Sequence, residues 1–261
     1  MTFTDTHSHI YGAEFAADTD AVVERARRAG AEKIFLPNEN AATLDSVLAL
    51  CGKYPGFCHP MIGLHPEEVD EGYAGVLDSM ERMLEKPNPF IAVGEVGVDY
   101  HFQSENSKEQ IDAFRRQAEW AARYSLPLMI HSRDSIDDLL AVLEECGGKR
   151  MTGVFHCFSG TEEEARRFLG LPGFALGIGG IVTFKRSMLA GVLKSVVPIE
   201  RIVLETDCPY MAPVPMRGKR NESAFVPYIA AKLAETYGMT VDEVCEITSE
   251  TAKKIFPKAW E

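Results

Sequence analysis

The sequence FIAVGEV, residues 90–96, and the sequence LPLMI, residues 126–130, are short apolar runs, and the stretch Lys108–Tyr124 between them has helical periodicity. Neither run shows the regular alternation of apolar and polar residues that marks a strand with one face in water. Continuous apolar runs of this length are typical of strands buried on both faces of a parallel sheet. The region therefore predicts a strand, a helix and a second, parallel strand.

The same succession of elements extends outward over the whole chain. Eight apolar runs are predicted as strands: Met1–Asp5, Lys33–Pro37, His59–Leu64, Phe90–Val96, Leu126–Ile130, Thr152–Phe155, Phe174–Ile178 and Arg201–Glu205. Eight stretches are predicted as the helices that follow them: Thr19–Ala29, Ala41–Gly52, Tyr73–Lys86, Lys108–Tyr124, Ser135–Cys146, Glu162–Leu169, Ser187–Val197 and Ala224–Tyr237. Strict alternation predicts the α/β class and a (β/α)8 TIM barrel, with an extra C-terminal helix over Thr240–Phe256.

An open, doubly wound sheet is the alternative for the same order of elements. Its dinucleotide-binding version is disfavoured, because the first strand-to-helix turn, HSHIYG at residues 7–12, lacks a G-x-G-x-x-G fingerprint. The positions of the polar residues, described below, favour the barrel further.

Three helix starts carry capping residues. Asp134 is predicted to cap the fifth helix. Thr161 with Glu164 predicts a capping box at the sixth helix, and Thr240 with Glu243 predicts the start of the last one.

The chain has 261 residues, of which 46% are apolar and 25% are charged. This length matches the roughly 250 residues of one α/β barrel, so we predict a single domain over residues 1–261. No apolar stretch approaches the roughly 20 residues of a membrane span, and the first ten residues, MTFTDTHSHI, lack the features of a signal peptide. The six cysteines form no C-x-x-C pair and are expected to be free thiols. We therefore expect a cytoplasmic protein without membrane contact, and a monomer is favoured.

The charge of the chain limits how it can bind nucleic acid. With 27 basic and 39 acidic residues the net charge is -12, which repels an extended phosphate backbone. Any nucleic acid must therefore be gripped locally. The sequence RGKRN at residues 217–221 is a local basic cluster, and Arg217 is predicted to bind phosphate as a bidentate donor. A solvated charge run is the alternative interpretation.

Histidines and carboxylates follow the apolar runs at the points where these end. The first run is followed by a His-x-His pair, and the alternation of side chains along an extended chain places both imidazoles on one side. The full set comprises His7, His9, Glu95, His131, His156 and Asp207. In a (β/α)8 barrel the carboxyl ends of the strands form the rim where active sites lie. The pattern therefore predicts one site at that rim.

Four imidazoles and two carboxylates are too many ligands for one four-coordinate ion. They suit two divalent cations bridged by a carboxylate. Such nitrogen and oxygen ligands accept zinc, manganese, cobalt or nickel, and also magnesium when water and substrate oxygens complete its shell. The predicted cofactor is two divalent metal cations, with Mg, Mn or Zn left open.

Seven motifs in order resemble the TatD family of metal-dependent deoxyribonucleases, within the amidohydrolase-like barrels. They are TDTHSHI, GLHPEE, GEVGVDY, LMIHSRD, GVFHCFSG, GIGG and ETDCPYMAPVPMRGKRNES. The resemblance spans nearly the whole chain. Some relatives within these barrels bridge their metals with a carbamylated lysine on the fourth strand, but FIAVGEVGVDYHF contains no lysine. Glu95 stands in the bridging place instead.

The resemblance implies a ligand arrangement and an activity. His7, His9, Glu95 and Asp207 would surround one metal, and Glu95 would bridge to a second metal held by His131 and His156. The implied reaction is hydrolysis of a phosphodiester bond in DNA by an activated water, with Asp207 and Glu95 as catalytic residues. Single-stranded DNA or 3′ ends would be the substrate, degraded in the 3′-5′ direction.

Substrate contacts are predicted less directly. His65 in GLHPEE follows the third run, and it is either a substrate contact or a turn residue beside Pro66. The sequence departs from the family pattern at Glu67, where a second histidine is frequent, and at Ser223, where proline is common. Both positions are expected to lie near substrate contacts, so substrate preference is affected more than hydrolysis.

Two residues near the predicted ligands have open interpretations. Asp99 is either a partner of a ligating histidine or part of a surface loop. Glu205 shares the alternation phase of Asp207 and is expected to point inward.

Two other functions stay open from the residues alone. One is hydrolysis of a small phosphoester, amide or lactone in the same barrel. The other is metal binding without catalysis, which the complete ligand set disfavours.

Overall fold

The computed structural model describes residues 1–261 and contains eight strands that alternate with helices. The strands are β1 Phe3–Asp5, β2 Ala31–Leu36, β3 Cys58–Pro60, β4 Val93–Asp99, β5 Leu128–Arg133, β6 Gly153–Phe155, β7 Phe174–Ile178 and β8 Ile202–Leu204. The helices are α1 Thr19–Ala29, α2 Leu44–Lys53, α3 Tyr73–Leu84, α4 Ser107–Tyr124, α5 Ile136–Glu145, α6 Glu162–Leu169, α7 Leu189–Val196, α8 Val226–Tyr237 and α9 Val241–Ile255. The predicted order of elements and the extra C-terminal helix are confirmed.

All strands are parallel, and they pair in chain order in two runs, β1 to β3 and β4 to β8. The two junctions are also hydrogen-bonded: Gly94 N donates to Ile62 O at 2.9 Å, and Thr6 N donates to Leu204 O at 3.0 Å. A parallel bridge between Ser8 and Cys208 continues the second junction beyond the strand ends. The sheet therefore closes into a barrel, and the open doubly wound sheet is excluded.

Two apolar layers lie on either side of the strands. Alternate strand residues such as Ile34 and Ile130 pack outward against the helices in the main core. A separate apolar cluster is formed by the residues that alternate with these, contributed by seven strands or the residues beside them. It contains Phe35, Met129 and Val154, together with Phe256 of the C-terminal segment. Successive strand residues point to opposite faces, so this second cluster fills the barrel interior.

The C-terminal segment closes the amino-terminal end of the barrel. The Phe256 ring lies 5.2 Å from the Phe35 ring, centroid to centroid. Thr251 Oγ1 donates to Glu200 O at 3.0 Å, and Lys258 Nζ donates to Phe90 O at 2.8 Å, both acceptors preceding a strand. The opposite, carboxyl end is left for polar groups.

Helix α6 and helix α9 begin with the predicted capping boxes, in which Thr161 pairs with Glu164 and Thr240 with Glu243. The predicted capping residue of helix α5, Asp134, is wrong. Asp134 has a left-handed backbone, with φ of 55°, and the N-cap is Ser135. Ser135 Oγ donates instead to the carbonyl of Val98 at 2.6 Å, which ties the helix start to β4.

None of the helices is both long and apolar enough to cross a membrane.

Candidate metal centre

His7, His9 and Asp207 are brought together where the first and last strands meet. Asp207 N donates to His7 O at 2.9 Å, and His9 N donates to Cys208 O at 3.0 Å. These backbone bonds extend the β1–β8 pairing past both strand ends, so the alternating His-x-His pair faces the Asp207 carboxylate. His9 Nε2 lies 3.5 Å and His7 Nε2 lies 3.8 Å from Asp207 Oδ1.

A buried carboxylate of β1, Asp5, stabilises the junction between β1 and β8. Its two oxygens accept from the backbone N of Thr206 at 3.0 Å and from the Thr206 hydroxyl at 2.7 Å. Thr206 Oγ1 also lies 3.4 Å from the carbonyl of His7. The backbone that carries two of the predicted ligands is therefore held by a side chain of β1.

Glu95 lies at the centre of the cluster, and its two oxygens face different neighbours. Oε2 lies 3.1 Å from His7 Nε2 and 3.6 Å from His9 Nε2. Oε1 lies 2.7 Å from His156 Nε2 and 3.1 Å from His131 Nδ1. One carboxylate thus joins two groups of imidazoles, as a bridging ligand must.

His131 and His9 are oriented by partners on their other ring nitrogen. His131 Nε2 lies 2.8 Å from Asp99 Oδ2. His9 Nδ1 lies 2.8 Å from the hydroxyl of Tyr11, which donates to Glu39 Oε2 at 3.0 Å. A carboxylate partner, direct for His131 and through the Tyr11 hydroxyl for His9, fixes the ring and raises the basicity of a nitrogen that binds a metal. Asp99 is buried at the end of β4, so of its two interpretations the structure supports the histidine partner and excludes the surface loop.

His7 and His156 form a stacked pair, with ring centroids 3.9 Å apart and planes 8° from parallel. Their Nδ1 atoms and Glu205 Oε2 are buried without a hydrogen-bond partner, while Glu205 Oε1 accepts from Cys157 N at 2.5 Å. Glu205 points inward, as its alternation phase predicts. A Cβ at Gly177 would overlap its carboxylate, so glycine at that position leaves the room Glu205 needs.

Burial and mutual contacts shift the pKa values of the cluster. Burial by itself raises the pKa of Glu95, but the surrounding imidazoles, first that of His156, hold it well below its usual range. Burial, together with His156, lowers the pKa of His7 to about 4. Burial also opposes the charge on His131, yet Asp99 and Glu95 raise its pKa to about 9. Among these imidazoles, that of His131 is favoured in its charged form by the two carboxylates beside it, whereas that of His7 is favoured in its neutral form.

The donor set fits divalent cations. His7 Nε2 and His9 Nε2 lie only 3.1 Å apart, a spacing close to that of two nitrogens on one ion with metal–nitrogen bonds of about 2.1 Å. His7, His9 and Glu95 offer ligand atoms within one small sphere, and His65, Glu95 and His131 do so within another. Both groups share Glu95, in agreement with a bridge.

The cluster lies at the base of a cavity of about 1130 Å³. Its lining includes nine carboxylates but only one arginine, Arg133. The acidic walls repel phosphate, so an anionic substrate needs positive charge at the base of the cavity.

The predicted ligands differ slightly from their expected places along the strands. Glu95 and His131 lie within β4 and β5 and not at their ends, because both strands continue through Asp99 and Arg133. Asp207 follows β8 by three residues. All six side chains nevertheless meet at the carboxyl end of the barrel.

His65 reaches the cluster and also holds a turn. Its Nε2 lies 3.1 Å from Glu95 Oε1, and its Nδ1 accepts from Glu67 N at 3.2 Å. Glu67 is exposed, lines the cavity and lies within ligand distance of Asp99 and His131. Ser223 is fully buried, with its Oγ 3.3 Å from that of Ser8, so its side chain is not accessible to a substrate.

The basic cluster of residues 217–221 lies outside the cavity lining. The Arg217 guanidinium lies 4.0 Å over the ring of Phe184. Arg220 donates to Asp18 Oδ2 at 2.8 Å and to Glu14 O at 2.5 Å, which gives it a structural role. The phosphate contact of Arg217 stays a prediction.

Sequence reasoning missed Tyr11 and Glu39. Tyr11 follows His9 at the same spacing as His9 follows His7, and this alternation could have placed it beside His9. No sequence signal marks Glu39, which lies on a loop after β2 and meets Tyr11 only in the folded barrel.

A closed parallel barrel with a histidine–carboxylate cluster at the carboxyl ends of its strands defines the class of metal-dependent hydrolases. The family described as TatD related DNase matches residues 4–257. The chain belongs to this family. It is a metal-dependent hydrolase of the nuclease type, an enzyme that acts on ester bonds.

Two relatives match nearly their full length. An uncharacterised metal-dependent hydrolase, YabD of Bacillus subtilis, is 34% identical over 97% of this chain and 98% of that protein. The 3′-5′ ssDNA/RNA exonuclease TatD of Erwinia billingiae is 32% identical over the same shares.

Two solved structures share the fold. The TatD homologue YJJV from Escherichia coli K12 has a TM-score of 0.90 and 31% identity, and the match covers 98% of both chains. A TatD family hydrolase from Entamoeba histolytica has a TM-score of 0.89 and 25% identity, also over 98% of both chains.

Proposed function

We propose that this chain is a 3′-5′ exonuclease that hydrolyses phosphodiester bonds in DNA with two divalent cations. The ligands proposed are His7, His9, Glu95, His131, His156 and Asp207. The observation that carries the proposal is the position of Glu95, whose two oxygens each face a separate group of imidazoles. Magnesium, manganese and zinc all accept such ligands, so the choice among them is left to measurement.

Cations bound there supply charge neutralisation and lower the pKa of water for attack on phosphorus. The chain's own groups place the reactants. Asp207 is the proposed proton acceptor, because its carboxylate lines the cavity and lies 3.5 Å from His9 Nε2, within the cluster of proposed ligands. Glu95 contacts both groups of imidazoles, one with each carboxylate oxygen.

The scarcity of positive side chains in the cavity supports recognition of a single phosphate at its base. Among the cavity-lining residues, Arg133 is the single arginine against nine carboxylates. A long phosphate backbone therefore gains little along these walls, whereas one phosphodiester at the base meets the cations. This arrangement favours cleavage near the end of a DNA strand. His65, which points at Glu95, is proposed as a substrate contact.

The same acidic lining favours one second candidate, a hydrolase of small phosphoesters. The two functions differ in how catalytic efficiency depends on substrate length. For the exonuclease, kcat/KM rises from a dinucleotide to a single-stranded decanucleotide. For the small-ester hydrolase it stays flat or falls.

The location proposed is cytoplasmic, and the state proposed is a monomer of one domain, residues 1–261. All six cysteines are unpaired, which supports a reducing compartment. Size-exclusion chromatography with light scattering would measure the mass.

The direct test uses single-stranded DNA labelled at its 5′ end, incubated with each cation in turn. A 3′-5′ exonuclease produces a ladder that shortens from the 3′ end and leaves circular single-stranded DNA intact. Asp207→Ala should lose the activity, and Glu246→Ala, which removes an exposed carboxylate of α9, is the matched control. Cleavage of the circle, or full activity in Asp207→Ala, would contradict the proposal.

A further inference from the structure

Exposed apolar side chains are concentrated at the mouth of the cavity. The large apolar residues that stay exposed in the folded chain are Met1, Phe102, Met188, Tyr210, Val214 and Tyr228. Three of these line the cavity above the candidate metal centre: Phe102 at 65% exposure, Met188 at 80% and Tyr210 at 57%. Exposed apolar surface grouped at a site marks contact with a ligand.

Tyr210 is anchored through its backbone to the loop that carries Asp207. Tyr210 N donates to Asp207 O at 3.0 Å, and Tyr210 O accepts from Asn221 Nδ2 at 2.7 Å. Asn221 is buried and also donates to Thr206 O at 2.8 Å. The aromatic ring is therefore attached to a short, braced segment beside a proposed ligand.

Phe102 is anchored in a similar way to Asp99, the partner of His131. Its backbone N donates to Asp99 Oδ1 at 2.8 Å, while Asp99 Oδ2 lies 2.8 Å from His131 Nε2. One buried carboxylate thus positions both an exposed aromatic residue and a proposed ligand. The two rings belong to different loops. Tyr210 is linked to the proposed ligand Asp207 by one backbone hydrogen bond, and Phe102 is linked to the proposed ligand His131 through Asp99.

The charge of the walls decides what such rings can bind. Apart from Glu95, Asp99 and Asp207 of the metal centre, six carboxylates and one arginine line the cavity, so the walls offer almost no partner to a phosphate backbone. The flat faces of nucleobases carry no charge and stack on aromatic rings without regard to sequence. In a duplex end the last base pair stacks on its neighbour and is held to the opposite strand, so only its outer face is free and its bases cannot separate without unpairing.

We propose that Tyr210 and Phe102 form a base-stacking platform that holds the unpaired nucleotides on either side of the scissile phosphate, with Met188 at its apolar edge. The two aromatic residues then determine specificity for unpaired ends, and binding depends on bases more than on backbone charge. This inference rests on the proposed phosphodiesterase function and adds the means of substrate recognition.

The test compares two dinucleotides that share one phosphodiester. One carries two thymines, and the other carries tetrahydrofuran abasic sugars in their place. With saturating divalent cation, the wild-type protein should prefer the base-bearing dinucleotide by about tenfold in kcat/KM. Tyr210→Ala and Phe102→Ala should each reduce this preference severalfold, mainly through KM. Tyr210→Phe keeps the ring and should keep the preference.

Tyr228→Ala is the matched control, because Tyr228 is an exposed tyrosine on α8 outside the cavity lining and should leave the preference unchanged. Equal cleavage of both dinucleotides by the wild type, or an undiminished preference in both alanine variants, would overturn the platform and leave the hydrolytic function standing. Cleavage of neither dinucleotide by a protein that still shortens the 5′-labelled single strand would overturn the platform alone. Failure on the dinucleotides and on the labelled single strand would overturn the proposed function as well. Two independent variants keep the test decisive if one of them folds poorly.

Discussion

The two ends of the barrel are built from the same strands but differ in chemistry. In β5, Met129 packs in the apolar interior and His131, two residues later, faces Glu95. At β6 the same step leads from Val154 to His156, which directly follows the strand. Every second residue of a strand faces the barrel interior. Two residues along a strand therefore separate the apolar interior layer, which stabilises the fold, from the polar layer that contains the proposed ligands. The amino-terminal end can therefore be tested for stability and the carboxyl end for catalysis.

The largest expected effect is the loss of Glu95. Glu95→Ala removes the carboxylate that faces both groups of imidazoles, and phosphodiester turnover should fall by about 1,000-fold or more. Steady-state kinetics with saturating cation would measure this, and circular dichroism would verify the fold. Turnover within a few fold of the wild type would exclude Glu95 as the bridge.

Phe256→Ala tests the opposite end. Phe256 is fully buried against Phe35, so the free energy of unfolding should fall by about 3–5 kcal/mol. Turnover of the folded protein should stay at the wild-type value, because no cavity residue is touched. Urea unfolding measures the first quantity, and Lys254→Ala, an exposed neighbour on α9, is the control. A drop in turnover without loss of stability would show that the two ends are not separate.

Asp99→Asn should have an intermediate effect. Asparagine keeps an oxygen for the His131 ring but removes the charge that raises its pKa. The affinity for the cation should fall by about 10- to 100-fold, measured by competition with a chelator. Asp134→Asn is the matched control, since Asp134 lines the same cavity but lies near His101. Unchanged cation affinity in Asp99→Asn would show that the charge of Asp99 does not act through His131. The role of Asp99 would then be to accept the backbone hydrogen bonds of the loop after β4.

The smallest effect belongs to the cap of the helix that closes the amino-terminal end. Thr240→Ala removes the acceptor for Glu243 N, and the free energy of unfolding should fall by about 1 kcal/mol. Chemical denaturation would detect the change, while kcat should match the wild type. A loss greater than that of Phe256→Ala would mean that this capping box has a role beyond the helix start.

The grouping of the six proposed ligands could be predicted from the sequence because each lies on an apolar strand or within four residues of its end. A strand carries its own signal, and a parallel barrel brings all strand ends to one rim, so no further information was needed to group them. The capping boxes at Thr161 and Thr240 were predictable for the same reason, since both partners lie within one turn of helix.

Other contacts depend on loops, whose paths the sequence does not determine locally. The cluster at residues 217–221 follows the last strand, which suggested a phosphate contact, yet Arg220 pairs with Asp18, 202 positions away. Ser223 is polar and follows the same loop, but it is buried against Ser8. Local charge or polarity does not say which partner a loop residue meets after the barrel closes.

The closure between β1 and β8 has a consequence for the order of folding. Thr6 and Leu204 are joined by a backbone bond across 198 positions, and this junction also brings His7 and His9 to Asp207. Contacts of such long sequence separation form slowly, because their loop entropy must be overcome first. In a refolding experiment, helix signal should therefore return before tight cation binding, which becomes a kinetic marker of the moment when the barrel closes.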